Sequence, residues 1–119
     1  MTDERRIQVL QALIACNRPV DELEQDMMGM SWDSATDLVE LKLSDLRSIV
    51  ERILSGALSV TDARRWAELV EIREDIGCSV DDAEVIEEFV FDLANPDLVP
   101  ETADALIHKW AHRLGIGNG

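Results

Sequence analysis

The chain has 119 residues, 46% of them apolar, and a formal net charge of −14. That size and apolar content describe one domain with one ordinary core, not a disordered chain. The charge disfavours nucleic acid and anionic membranes as partners, because both demand cationic surface.

Residues 3–16 are predicted to form a helix, with Ile7, Leu10 and Ile14 on one face and Leu13 at its edge. Leu13-Ile14-Ala15-Cys16 resembles the end of a lipoprotein signal. However, Asp3 and Glu4 cancel Arg5 and Arg6, and Gln8 and Gln11 interrupt the apolar stretch, so the helical reading is preferred. Asn17, Arg18 and Pro19 stop it. Residues 20–30 form a short acidic helix or turn with Leu23 and Met27 inward, and Met28 and Met30 suit gap-filling. Residues 31–37 are polar and turn-like. The partial alternation at 38–43 fits either a short extended segment or the first turns of a longer helix.

From Ser44, the residues Leu46, Ile49, Val50, Ile53 and Leu54 hold one helical face, and Gly56 is the stop. Ser59-Val60-Thr61-Asp62 is a capping-box pattern opening a helix to about Asp75, ended by Gly77. Ser79-Val80-Asp81-Asp82 repeats the device and opens a helix over 80–94, which Asn95-Pro96 ends. A last helix follows Pro100 and runs to about Leu114, with Leu106, Ile107, Trp110 and Leu114 inward. The expectation is an all-α fold: one compact domain, 1–119, of five to six helices joined by short connections.

Between Glu74 and Asp104 there are eleven acidic side chains and no Lys or Arg. Val85, Ile86, Phe89, Val90, Phe91 and Leu93 are threaded through them, so the segment folds and does not form an acidic tail. On helix 80–94, Ile86, Phe89, Val90 and Leu93 face the core, while Asp81, Glu84, Glu88 and Asp92 stack opposite at spacings of three and four. Such like-charge pairs repel by a few tenths of a kcal/mol each. A solvated face explains the stack; so does a basic protein partner, with Phe91 as an apolar anchor at the edge. Arg73 falls inside the apolar arc of its helix, where a guanidinium must snorkel or pair with a carboxylate. An internal ion pair is the preferred reading over a ligand-binding arginine.

Cys16 and Cys78 lack metal-type spacing and read as reduced thiols of a cytoplasmic protein. His108 and His112 sit four apart, a spacing that can hold a metal, but both point away from the buried arc and, with Lys109 and Arg113, complement the helix dipole. No metal or cofactor is expected. Asp33-Ser34-Ala35 resembles the phosphopantetheine motif of acyl carrier proteins. It departs where Ala35 replaces Leu, and one residue is inserted before Val39-Glu40-Leu41. Nucleophile–histidine pairs and phosphate-binding glycine loops are missing from the sequence, so no enzyme activity is expected.

Three motifs carry a further likeness: Leu58-Ser59-Val60-Thr61-Asp62 followed by Arg65-Trp66-Ala67-Glu68, then Glu71-Ile72-Arg73-Glu74-Asp75-Ile76, then Phe91-Asp92-Leu93-Ala94-Asn95-Pro96. Over residues 44–97 the chain resembles small helical bacterial proteins associated with toxin–immunity pairs of the colicin and contact-dependent-inhibition types. The resemblance implies a cytoplasmic protein that blocks a cognate toxin domain, and it supplies no residue-level site. Together with the charge, it makes an immunity protein neutralising a basic toxin the leading expectation. A homodimerising structural or regulatory subunit is the alternative, and a carrier modified on Ser34 ranks third.

Overall fold

The computed structural model describes residues 3–28, 38–71, 75–99 and 102–116. Helical apolar spacing with caps dominates the sequence, and the fold follows it: 72% of the described residues are helical. In chain order the elements are α1 (Asp3–Ala15), α2 (Val20–Met27), β1 (Val39–Leu41), α3 (Leu43–Ser55), α4 (Val60–Glu71), β2 (Ile76–Cys78), α5 (Ala83–Ala94), a 3₁₀ turn at Pro96–Leu98, and α6 (Ala103–Arg113). The strands pair in parallel, Val39 opposite Ile76 and Leu41 opposite Cys78.

The start and stop signals act as expected in most places. Ser59 Oγ accepts the Asp62 amide at 3.0 Å; Thr102, which was not singled out in the sequence, caps α6, its Oγ1 accepting the Ala105 amide at 3.2 Å. Each satisfies a helix N-terminal donor that would otherwise lack an intrahelical partner. Gly56 ends α3 with φ of 85°, the left-handed conformation that costs a residue with a Cβ about 1–2 kcal/mol. Ser79 behaves differently. Its Oγ accepts the Asp81 amide at 3.3 Å within a turn, and α5 begins at Ala83.

The core joins all the layers. Trp66, Trp110, Phe89, Leu10, Leu13, Leu23 and Leu46 are fully buried. Trp66 of α4 donates its indole N–H to the Leu13 carbonyl of α1 at 2.7 Å, which satisfies a buried donor and fixes the two helices in register. Phe89 of α5 meets Trp110 of α6 edge-on, with ring centroids 5.1 Å apart. Leu23 and Met27 point inward as predicted, whereas two faces differ from the sequence reading. On α1 the buried set is Val9, Leu10 and Leu13, joined by Cys16 just past its end, with Ile7 and Ile14 half-buried. The face is rotated because α1 is covered by β1 and α4 as well as by α2 and α3. On α3, Leu54 is exposed.

The second strand is the larger difference. Ile76-Gly77-Cys78 was expected to close a helix and instead extends beside β1. Asp75 leads into it, fully buried, and its carbonyl accepts the amides of Leu38 and Val39 at 2.8 and 3.2 Å. Its carboxylate is held by Arg6 of α1, with Nη2 at 2.8 Å and Nε at 2.9 Å from one oxygen. The Arg6 side chain is only 18% exposed. Arg73, expected to make the internal ion pair of this region, lies outside the described residues, as do Ser34 and the 31–37 segment. Among the described residues, a buried carboxylate here is Asp75, and an arginine from α1 holds it.

Candidate functional site

The α5 helix carries the acidic segment, and its helical period decides which carboxylates reach solvent. Ile86, Phe89, Val90 and Leu93 are buried, as their spacing predicts. Opposite them Glu84, Glu87, Glu88 and Phe91 are exposed. These positions fall at i, i+3, i+4 and i+7 and form one stripe along the helix. Phe91 therefore stands in line with the three glutamates; it keeps 44% of its surface exposed. Asp81 is exposed in the turn before the helix.

Asp92 corrects the predicted stack. It is only 6% exposed and faces α6, not solvent. Its Oδ2 accepts the Trp110 indole N–H at 3.0 Å and lies 3.5 Å from Lys109 Nζ. Asp92 lies at the flank of the stripe, beside α6, and a buried indole N–H there needs an acceptor. Glu88 is also not a free charge. It pairs with Arg113 of α6, whose guanidinium stacks on the Trp110 ring at 4.1 Å. The outward charge of α5 thus rests on Glu84 and Glu87, which form no ion pair among the described residues.

Glu87, which was not singled out in the sequence, borders a recess between α4, the strand pair and α5. Leu41, Val70, Ile86 and Val90 line it, Phe91 forms one wall, and Glu71 and Glu87 stand at its mouth. Its volume is about 380 Å³. The Asn95 side-chain amide donates to Glu71 at 3.0 Å and so holds that carboxylate at the edge. Two features hid the recess from sequence reading. Its strand side depends on β2, which was read as the end of a helix stopped by Gly77, and its helical side depends on α4 meeting α5 across the connection at 72–82. The only local signal was an aromatic residue on a polar face.

No protein-family model, no characterised protein and no solved structure matches the chain.

The motifs singled out over residues 44–97 have structural roles among the described residues. Trp66 and Ala67 are core, Asp92 binds Trp110, and Asn95 caps α5 while holding Glu71.

The remaining polar clusters are local ties. Arg65 of α4 bridges Asp21 and Glu24 of α2, and first Asp21, then Glu24, raise its pKa through hydrogen bonding. Arg52 donates to the Cys16 carbonyl. Burial pushes the Cys16 thiol above its ordinary pKa, with the neighbouring Arg52 partly opposing. His108 and His112 are exposed, and His108 Nδ1 lies 2.8 Å from the Asp104 carbonyl of its own helix. Among the described residues, no three His, Cys, Asp or Glu side chains converge as a metal site, and no helix is long and apolar enough to cross a membrane.

Proposed function

We propose that this chain is a non-enzymatic acidic binding protein, an immunity protein that neutralises a cognate basic bacterial toxin in the cytoplasm. The exposed stripe of α5 is its contact face. One observation carries the reading: Glu84, Glu87 and Glu88 flank a half-exposed Phe91 on a single helix face, within a segment that has no Lys or Arg from residue 74 to residue 104. Stability alone does not call for that arrangement, because Glu84 and Glu87, three apart and outside the Glu88–Arg113 pair, repel, and an exposed phenyl ring gains nothing from water. A basic surface facing the helix converts both costs into attraction. A nuclease or other toxin domain with a cationic groove supplies such a surface, and complementary charge speeds its capture.

The test uses the product of the gene adjacent to this one, as toxin candidate. Co-expression of this chain should restore growth to a host expressing it. In stopped-flow or surface-based kinetics, the association rate should fall steeply as salt rises. Glu84→Lys with Glu87→Lys should slow association by about tenfold or more at low salt, with a smaller effect on dissociation. Equal association rates for wild type and the double variant at low salt would remove this face from the interface and move the search to the acidic segments at 21–26 and 33–40. A harmless neighbouring product, together with self-association of this chain, would replace the reading with a homodimerising subunit.

A further inference from the structure

We infer that the recess beside Phe91 seats one apolar side chain of the partner, presented on a segment whose flanking residues are Lys or Arg. The inference rests on the acidic-binding reading above and adds where and how specificity arises. The recess is walled by apolar side chains from three separate elements, Leu41 of β1, Val70 of α4 and Ile86 and Val90 of α5, with Phe91 standing half out of the surface beside them. At about 380 Å³ it lies at the small end of the range for ligand-sized clefts, room enough for a side chain and its near neighbours.

Charge selects the occupant. The carboxylates at the mouth, Glu71 and Glu87, and the next glutamate along the stripe, Glu84, are all negative. An anionic ligand is repelled here. A second copy of this chain is a poor occupant for the same reason: each copy carries a net charge of −14, and symmetric docking would set like glutamates against each other. A leucine or aromatic residue between two cations satisfies both parts, its apolar body in the recess and its neighbours' ammonium or guanidinium groups on the carboxylates. In this arrangement the glutamates govern encounter, and the recess governs how long the complex lasts.

The ¹⁵N-labelled full chain tests this with three synthetic nonapeptides as probes at low salt: lysine-flanked with a central Leu, the same with a central Gly, and the Leu peptide with Glu in place of every Lys. The Leu–Lys peptide should shift the amides of Leu41, Val70, Gly77 and Phe91. The Gly–Lys peptide should bind about tenfold or more weakly, the loss expected for one unburied leucine side chain. The glutamate peptide should cause no shift. Phe91→Asp makes the surface more negative but removes the wall, so it should abolish the difference between the Leu and Gly peptides while lysine-dependent binding persists. Equal affinity of the Leu and Gly peptides for wild type, or shifts centred away from the recess, would overturn the inference and leave the acidic-binding reading intact. Failure of both lysine peptides to bind would count against both. Peptide-independent dimerisation mapping to these amides would assign the recess to a second copy and overturn the inference.

Discussion

Replacing Asp92 separates a structural carboxylate from a surface charge. Its Oδ2 is the acceptor, at 3.0 Å, of a buried Trp110 indole N–H. A hydrogen bond to a charged acceptor contributes about 1.5–3 kcal/mol, and leaving the donor unpaired in the core forfeits it. Lys109, 3.5 Å away with a side chain 36% exposed, adds less than about 1 kcal/mol because solvent screens it. Asp92→Ala should therefore cost about 2–3 kcal/mol, and Asp92→Asn about 1 kcal/mol, since the amide oxygen still accepts the N–H. The measurement is urea unfolding at neutral pH followed by far-ultraviolet circular dichroism. A double-mutant cycle with Trp110→Phe should return a coupling of about 1.5–2 kcal/mol, which separates the hydrogen bond from the volume lost with the indole. A loss within about 0.5 kcal/mol for Asp92→Ala, the range of an ordinary surface substitution, would refute the assignment and return Asp92 to the solvated stripe.

Two further outcomes follow from the interior. Arg6→Ala removes the α1 guanidinium from the fully buried Asp75 carboxylate and should cost up to about 3 kcal/mol, the low end for disrupting a buried pair because Arg6 retains some solvent; faster hydrogen exchange at Leu38 and Val39 should accompany it, and unchanged stability and exchange would show that Asp75 does not depend on α1. Burial raises the Cys16 pKa, so the folded state retains the thiol proton more tightly than the unfolded chain. That contribution is complete below the unfolded thiol's range, about 8.5, and is lost as pH rises through the folded value; unfolding at pH 7 and pH 9.5 should show a larger loss for wild type than for Cys16→Ala, and parallel losses would contradict it.

The helices were legible in the sequence because their information is local. Ser59, Gly56 and Asn95 act within one turn of where they stand, and the buried sets of α5 and α6 follow the helical period. What was not legible depends on residues far apart. Ile76-Gly77-Cys78 has no alternation to mark it as a strand and becomes one only beside Val39–Leu41. Arg6 and Asp75 are 69 positions apart, and nothing near either predicts the other. Asp92 was misplaced because helical spacing locates a side chain on its own cylinder and is blind to the neighbouring helix; α6 covers that flank. The candidate site was half visible for the same reason. Glu84 and Phe91 could be found from one helix, whereas the recess and the position of Glu87 at its mouth need three elements together.

The parallel pairing of Val39–Leu41 with Ile76–Cys78 also sets a timetable for the nascent chain. Helix α1 leaves the ribosome early, yet the residues that cover Leu10 and Leu13 and receive Arg6 include Trp66 and Asp75. At roughly 5–20 residues per second, translation leaves that apolar face uncovered for several seconds. Over the same interval α3 and α4 can form from short-range contacts alone. The closure that brings β1 to β2 also draws Arg6 of α1 to Asp75 across 69 positions, and closures over long sequence separations are the slow ones. Slowing translation downstream of α1 should therefore lower the soluble yield of this protein more than the same pause placed after residue 78.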